Sequence, residues 1–263
     1  MKFALMGYEL DGEWARLPES ERKRRVQNHQ FHLNELVVRR GIAAHGRVLI
    51  ASVGLQTGPG AATTLRFGGG KHPITDGPFA ETREVLAGFD LVEFDSLDEA
   101  VALASKYFTH DGHIGVIRPV REMWWVQHRA GDSDAMKFAL LLRGDETAWN
   151  RESPDARERN IRSHEQIGME YTARKSVRAD ETFGYGGIAL TPGAGATTLR
   201  RRAGEVIVSD GPFAETREVI GGVILLECAS KIEAAEWAKR YVTRESDFVE
   251  LWPVSSSWFI YHD

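Results

Sequence analysis

The string Asp-Gly-Pro-Phe-Ala-Glu-Thr-Arg-Glu-Val stands at residues 76–85 and again, letter for letter, at 210–219, an offset of 210 − 76 = 134. Ten identical residues do not recur by chance in a chain of 263. Duplication is therefore the first constraint on the fold, and its extent comes before any other question. Ala62-Thr63-Thr64-Leu65-Arg66 returns as Ala196-Thr197-Thr198-Leu199-Arg200 at the same offset. Residues 1–5 return at 136–140, shifted by 135. Trp14 answers Trp149, His29 answers His164, and Pro119-Val120 answers Pro253-Val254. The aromatic tail at 124–128 has a cousin at 258–262. Two units follow, 1–128 and 136–263, with a joint at 129–135 whose Gly-Asp-Ser-Asp is linker chemistry.

Each unit is near the commonest domain size. The net charge of −5 leaves no electrostatic footprint for nucleic acid. The basic run at 21–25 is diluted in its second copy at 156–160 and reads as a solvated helix face. A single cysteine, Cys228, excludes an intrachain disulfide and reads as a buried thiol. No signal peptide opens the chain and no apolar stretch is long enough to cross a membrane. The expectation is a cytoplasmic protein with neither nucleic acid nor membrane as partner.

Within the first unit, residues 3–8 form a short apolar run and predict a strand, followed by a loop at 9–18 carrying Trp14. A helix is predicted over 19–40, stopped by Gly41. Val26, Leu33, Leu36 and Val37 form its apolar stripe, and His29 falls on that stripe. Strands are predicted at 47–55, at 63–67 and 73–75 as a hairpin, at 89–94, at 114–120, and separately at 123–128. Ser96 and Glu99 make a capping box for a helix reaching about 108. The second unit keeps this order, with Ser153-Pro154 opening its long helix.

Strand, helix, strands, helix, strand is the order of a ferredoxin-like α+β sandwich, βαββαβ. Its open sheet face needs a cover, and a second copy supplies one. Two such units are expected to associate within the chain as a dimeric α/β barrel. The molecule is then a monomer with an internal pseudo-dimer, or a homodimer of it.

These motifs resemble the YCII-related family, in particular its branch named for the Asp-Gly-Pro-Phe string. The resemblance covers both units almost end to end. It rests on the Met-Lys-Phe strand, Trp14, His29, Gly54-Leu55-Gln56, residues 62–66, residues 76–84, Ala87-Gly88-Phe89 and Arg118-Pro119-Val120. It implies the ferredoxin-like fold and the barrel. It also implies a suspected catalytic pair, carried over as His29 with Asp76 and His164 with Asp210. Some relatives are dehydrochlorinases acting on chlorinated hydroquinones, and genes of this branch often lie beside a sigma factor. Departures include Gly168 for Leu33, residues 184–188 where the first unit has 50–54, and the loss of Asp95 and Asp98 to Ala229 and Ile232.

Histidine suits proton transfer because its pKa lies near neutrality. On an apolar stripe His29 also fits a packed core position, so both readings stay open. Asp76 fits an orienting carboxylate, and equally a residue capping its own turn before Gly77-Pro78. Arg66 and Arg200 are candidates to bind an anionic substrate, or to pair with Glu81 and Glu215. His110, Asp111 and His113 could bind a metal only weakly as a loop trio, and their counterparts Arg244, Glu245 and Asp247 argue against a metal site. Gly68-Gly69-Gly70-Lys71 lacks the strand-to-helix context of a phosphate loop. The expectation is a cofactor-independent His–Asp enzyme, a lyase, isomerase or hydrolase, on a small organic molecule. The alternative is a non-catalytic ligand-binding or accessory protein linked to a sigma-factor stress response.

Overall fold

A computed structural model describes residues 1–40, 49–66, 73–78, 84–108, 113–128, 135–176, 183–212, 218–242, 244 and 247–259. The first unit runs β1 (Lys2–Leu10), a short α1 (Glu13–Arg16), α2 (Glu19–Arg40), β2 (Leu49–Leu55), β3 (Thr63–Arg66), β4 (Ile74–Asp76), β5 (Glu84–Glu93), α3 (Leu97–Tyr107) and β6 (Ile114–His128). The second runs β7 (Met136–Asp145), α4 (Glu146–Arg151), α5 (Pro154–Ser176), β8 (Phe183–Leu190), β9 (Thr197–Arg202), β10 (Glu205–Asp210), β11 (Glu218–Cys228), α6 (Lys231–Tyr241) and β12 (Phe248–Phe259).

Both capping boxes form. Ser96 Oγ accepts from the Glu99 N–H at 3.3 Å and Ser230 Oγ from the Glu233 N–H at 3.1 Å. Each glutamate reaches back, to the N–H of Asp95 and of Ala229. Ser153 caps α5 through the N–H of Ala156. The Trp14 segment, expected as loop, folds into α1, and β1 extends to Leu10.

All pairings are antiparallel, and the strands β1, β5, β2, β12, β7, β11, β8 and β6 follow one another until β6 pairs β1 and closes the ring. The fold is thus a closed barrel built from two ferredoxin-like units, a dimeric α/β barrel within one chain. Alternation along β1 shows the two faces. Ala4, Met6 and Tyr8 join the core inside the barrel, whereas Phe3 and Leu5 pack outward with Leu33 of α2 and Leu103 of α3. In the second unit Phe138 and Leu140 pack outward with Ile167 and Tyr171 of α5.

The last strand of each unit stitches the units together. β6 pairs β1 over residues 114–119, then crosses to β8 from Val120 onward. β12 pairs β7 over 248–253 and crosses to β2 from Val254 onward. The strand expected to break near residue 120 therefore continues as one. Proline lacks an N–H for the ladder, and Pro119 and Pro253 stand where the strand changes partner. Their carbonyls accept from Thr191 and Gln56 in the opposite unit. Residues 124–128 and 258–259 of the aromatic tails lie in these crossed segments, at the boundary between units, and 260–262 lie outside the described residues.

The repeated Asp-Gly-Pro string also serves this stitching. Hairpin β3–β4 docks on β12, and hairpin β9–β10 docks on β6. Asp76 and Asp210 end these hairpins opposite Thr63 and Thr197. Gly77 and Gly211 follow with φ of 92° and 89°, the left-handed region that glycine enters without a Cβ penalty. Thr64 Oγ1 donates to the Gly77 carbonyl at 2.8 Å, and Thr198 Oγ1 to that of Gly211 at 2.7 Å. The Thr-Thr-Leu-Arg and Asp-Gly-Pro motifs are thus two sides of one hairpin. Residues 79–83 and 213–217 lie outside the described residues.

Candidate active site

His29 and Asp90 meet between α2 and the outward face of the first unit's sheet. Leu33, four residues after His29, is buried in the core. Val26, three residues before, is 40% exposed, because it looks onto a cavity. Beneath them Asp90 stands in β5 between Leu5 of β1 and Ser52 of β2. Its strand alternates: Val92 and Phe94 point outward into the core under the helices, and Asp90 shares their face one pleat earlier. The result is a carboxylate at a position built for an apolar side chain. Asp90 is 3% exposed. Its Oδ2 lies 2.9 Å from His29 Nε2, and its Oδ1 has no hydrogen-bond partner.

Burial is the largest influence on His29 and opposes its charged form. The Asp90 carboxylate, by charge and by hydrogen bond, more than offsets this, so the imidazole pKa lies above its ordinary 6.5.

The cavity measures about 890 Å³ and is walled by Trp14, Arg25, Val26 and Asn34 on the helical side. That is the size of a small-molecule site. Its floor includes a row of three glycines across adjacent strands, Gly7 of β1, Gly88 of β5 and Gly54 of β2, and Gly115 of β6 extends the row beyond the lining residues. Ser256 of β12 continues the row. The Phe108 ring lies over Gly115, where a Cβ would come within 2.2 Å of it. One pleat beyond the row stands a second buried carboxylate, Glu9, 4% exposed, which accepts from Thr57 Oγ1 at 2.5 Å. Burial, the largest cause, raises its pKa above the ordinary glutamate value.

The second unit carries a different site. Gly222 pairs Ala189 where Gly88 pairs Gly54, so β8 matches β2 at an offset of 189 − 54 = 135, one more than the surrounding 134. Ile224 stands in place of Asp90, Leu142 of Gly7, Val249 of Gly115, Ala189 of Gly54, Gly187 of Ser52 and Gly144 of Glu9. Larger side chains thus occupy the floor. The Trp124 indole overlies Gly187, where a Cβ would lie 2.5 Å from it. The cavity beside His164 is about 350 Å³. His164 packs on Tyr241 with ring centroids 5.2 Å apart, and its Nε2 is buried without a hydrogen-bond partner. Its pKa is pushed down to about 4, by burial first and then by the Arg244 charge, against a hydrogen bond with the Tyr241 backbone. Arg244 is held by Asp247 and Glu152.

The structure brings His29 to a carboxylate, but that carboxylate is Asp90, not Asp76. Asp76 is exposed at the end of β4 and is not among the residues lining the His29 cavity. Asp210 likewise ends β10, exposed, away from the residues lining the His164 cavity. The physical reason is the hairpin exchange, which carries both aspartates onto the opposite unit's last strand. Arg66 and Arg200 are carried with them. The Arg66 guanidinium lies 5.2 Å from the centre of the Phe248 ring, a contact between units. Glu81 and Glu215, their suggested partners, lie outside the described residues. Asp90 and Glu9 were missed. The signal for both is a carboxylate inside an apolar strand whose counterpart in the repeat is uncharged. Among the described residues no group of three or more His, Cys, Asp or Glu side chains is placed to hold a metal ion. None of the helices described is long and apolar enough to cross a membrane.

A family model described as the YCII-related domain matches residues 1–123 and again 136–256. An uncharacterized protein of Rhizobium meliloti is 40% identical over 105 residues, covering 40% of this chain and 78% of the relative. Among solved structures, a mutant chlorite dismutase from Candidatus Nitrospira defluvii in complex with cyanide aligns over 97% of this chain and 90% of its own, at 10% identity and a TM-score of 0.44. A second mutant of that enzyme aligns over 97% and 91%, at 10% identity and a TM-score of 0.43.

Proposed function

The chain belongs to the YCII-related domain family, and on that footing we propose that its first unit is an acid–base site acting on a small organic molecule. His29 is the proton-transferring residue, and Asp90 holds and charges it. The observation that carries this reading is the 2.9 Å contact of His29 with a buried carboxylate at the edge of a cavity of about 890 Å³. The chemistry available to such a pair is proton abstraction and return, as in a lyase, isomerase or hydrolase. The second unit is read as support. Its histidine has no carboxylate from β11 and is held neutral, and its cavity is narrowed by Leu142 and Trp124. A small ligand there would be bound rather than transformed. The single, buried Cys228 supports a reducing, cytoplasmic location, and intrachain barrel closure supports a self-sufficient monomer.

The test has two arms. In an NMR titration, His29 should show its midpoint above 6.5, and Asp90→Asn should move it below. In a turnover screen of small carbonyl, ester and halogenated compounds, any activity found should be lost in His29→Ala and Asp90→Asn and kept in His164→Ala. A His29 midpoint indifferent to Asp90→Asn, or an activity that survives His29→Ala, refutes the reading.

A further inference from the structure

We propose that the second unit completes the first unit's site, with Ser255 and Ser256 of β12 recognising a vicinal diol in a small uncharged substrate that lies along the glycine row beside His29. The proposal rests on the His29–Asp90 reading above and names the substrate class of that site. The sheet under the cavity does not end with the first unit. Asp90 of β5 pairs Ser52 of β2, and Ser52 pairs Trp258 of β12. One pleat along, Gly88 pairs Gly54, and Gly54 pairs Ser256. The register of β12 slips between Val254 and Ser256, a bulge with Ser255 as the extra residue. In a regular strand two consecutive side chains point to opposite faces. Here both hydroxyls converge on the cavity floor. A Cβ on Gly54 would lie 2.6 Å from Ser256 Oγ and 3.1 Å from Ser255 Oγ. Glycine at 54 thus leaves the pair its room, and both serines line the cavity.

The charged groups of the cavity are already engaged. Asp90 holds His29, Glu9 accepts from Thr57, and Arg25 is held by Glu21 and Glu13. The neutral groups are open. Among the described residues Ser52, Ser255 and Ser256 have no hydrogen-bond partner, and neither do the lining amides of Gln30 and Asn34 on α2. The cavity therefore offers an uncharged ligand more than it offers an ion. A hydroxyl both donates and accepts, so two neighbouring serine hydroxyls match two neighbouring hydroxyls of a ligand, each giving and taking a hydrogen bond. Ser256 is two strands and one pleat from Asp90, about 12 Å between backbones. Side chains reaching in from both ends shorten that span to the length of a molecule of roughly six carbons. The diol is thus a handle at one end, Ser52 is the polar step between, and His29 acts on an atom at the other end.

The second unit provides the internal comparison, because it keeps the bulge and loses the chemistry. The register of β6 against β8 slips between Val120 and Glu122, with Arg121 as the extra residue. Arg121 and Glu122 thus stand for Ser255 and Ser256, Ala189 for Gly54, Gly187 for Ser52 and Met169 for Asn34. The bulge belongs to the crossing of each last strand from one unit to the other, and serine is not needed to make it. What the first cleft alone has is a pair of uncharged hydroxyls on a bare floor, in one cavity with a histidine held by a carboxylate.

The experiment uses the full chain and three ligands on one carbon skeleton: cis-1,2-cyclohexanediol, trans-1,4-cyclohexanediol and cyclohexanecarboxylate. Proton–nitrogen NMR spectra follow the Gly54 and Gly88 amides as each is added, and the His29 ring is titrated in parallel. The 1,2-diol should shift both amides and the His29 ring, and bind at least about 10-fold more tightly than either comparator. Ser255→Ala and Ser256→Ala should each weaken it by about 3- to 10-fold, the effect of one neutral hydrogen bond. Both should leave the His29 midpoint where it was, and His164→Ala should leave binding unchanged. A 1,2-diol that shifts neither amide, or binds no better than its 1,4 isomer, overturns the diol. A carboxylate bound as tightly overturns the uncharged class, and serine variants that bind like wild type overturn the role of β12. In each of these results a His29 midpoint still above 6.5, and still lowered by Asp90→Asn, leaves the acid–base reading standing. A midpoint indifferent to Asp90→Asn overturns that reading whatever the diols do.

Discussion

Glu250 is the residue whose loss should cost this barrel most. It stands on β12 opposite Leu141 of β7, on the face shared with Trp252 and Ala139, and so points into the barrel. Its side chain is 1% exposed. Arg143 Nε lies 3.1 Å from Glu250 Oε2 without the angle of a hydrogen bond, so that contact is Coulombic. Trp252 Nε1 donates to the same oxygen at 3.2 Å. Neutralising one member of a buried pair leaves the other charge uncompensated, at about 3–5 kcal/mol. Glu250→Gln should therefore lower Tm by roughly 6–20 °C, at about 2–4 °C per kcal/mol for a chain of this size. The double variant Arg143→Met, Glu250→Leu should recover most of that loss, because a well-packed apolar pair replaces two desolvated charges. Arg118 does not spoil the recovery. It donates to the carbonyls of Ile220 and Thr191, and its charge is eased by Tyr8 and Glu146. Urea unfolding in low and in about 1 M salt is the assay, since a buried pair is little screened. A Glu250→Gln cost under about 1 kcal/mol, or one that salt abolishes, would refute the argument.

His164 should make the protein acid-sensitive. Its folded pKa is about 4 against 6.5, so its contribution is full above 6.5 and lost as pH falls towards 4, roughly 3 kcal/mol in all. His29, raised instead, contributes stability below 6.5 that fades as pH rises through its folded value. His164→Leu should flatten the decline in urea midpoint between pH 7 and pH 4, and a decline equal to wild type would contradict the assignment. Gly77→Ala and Gly211→Ala should each cost about 1–2 kcal/mol, because both demand positive φ. Thermal unfolding should show nearly equal losses, and no loss in either would mean that the turns do not need glycine.

The architecture was legible because it is written in periodicity and repetition, which are local signals. The helix over residues 19–40, both capping boxes and the hairpin all follow from short-range rules. The site was only half legible. His29 announced itself by lying on an apolar stripe and returning in the second copy. Its partner did not, because hairpin exchange and strand order are decided by packing between units that no local pattern encodes. The identical string drew attention to Asp76, yet identity there reflects two equal hairpins gripping two equal strands. The informative positions were the unequal ones. A carboxylate facing an isoleucine across the repeat, Asp90 against Ile224, marks a place where the two copies are held to different standards.

That inequality has a mechanical basis in the fold. Each unit needs the other for its sheet, since β2 and β3 pair only β12 beyond their own unit, and β8 and β9 pair only β6. A duplicated chain must therefore keep the strands of both units, whatever becomes of its two clefts. The clefts lie on the outward face of the sheets, under α2 and α5. One cleft can fill with Leu142, Val249 and Trp124 and gain apolar contact. The other must then hold its glycine floor bare, with two carboxylates buried beside it, at a cost in stability that the filled cleft helps to offset. On this argument the second copy supplies the scaffold's firmness, and the first is free to carry the polar, open site.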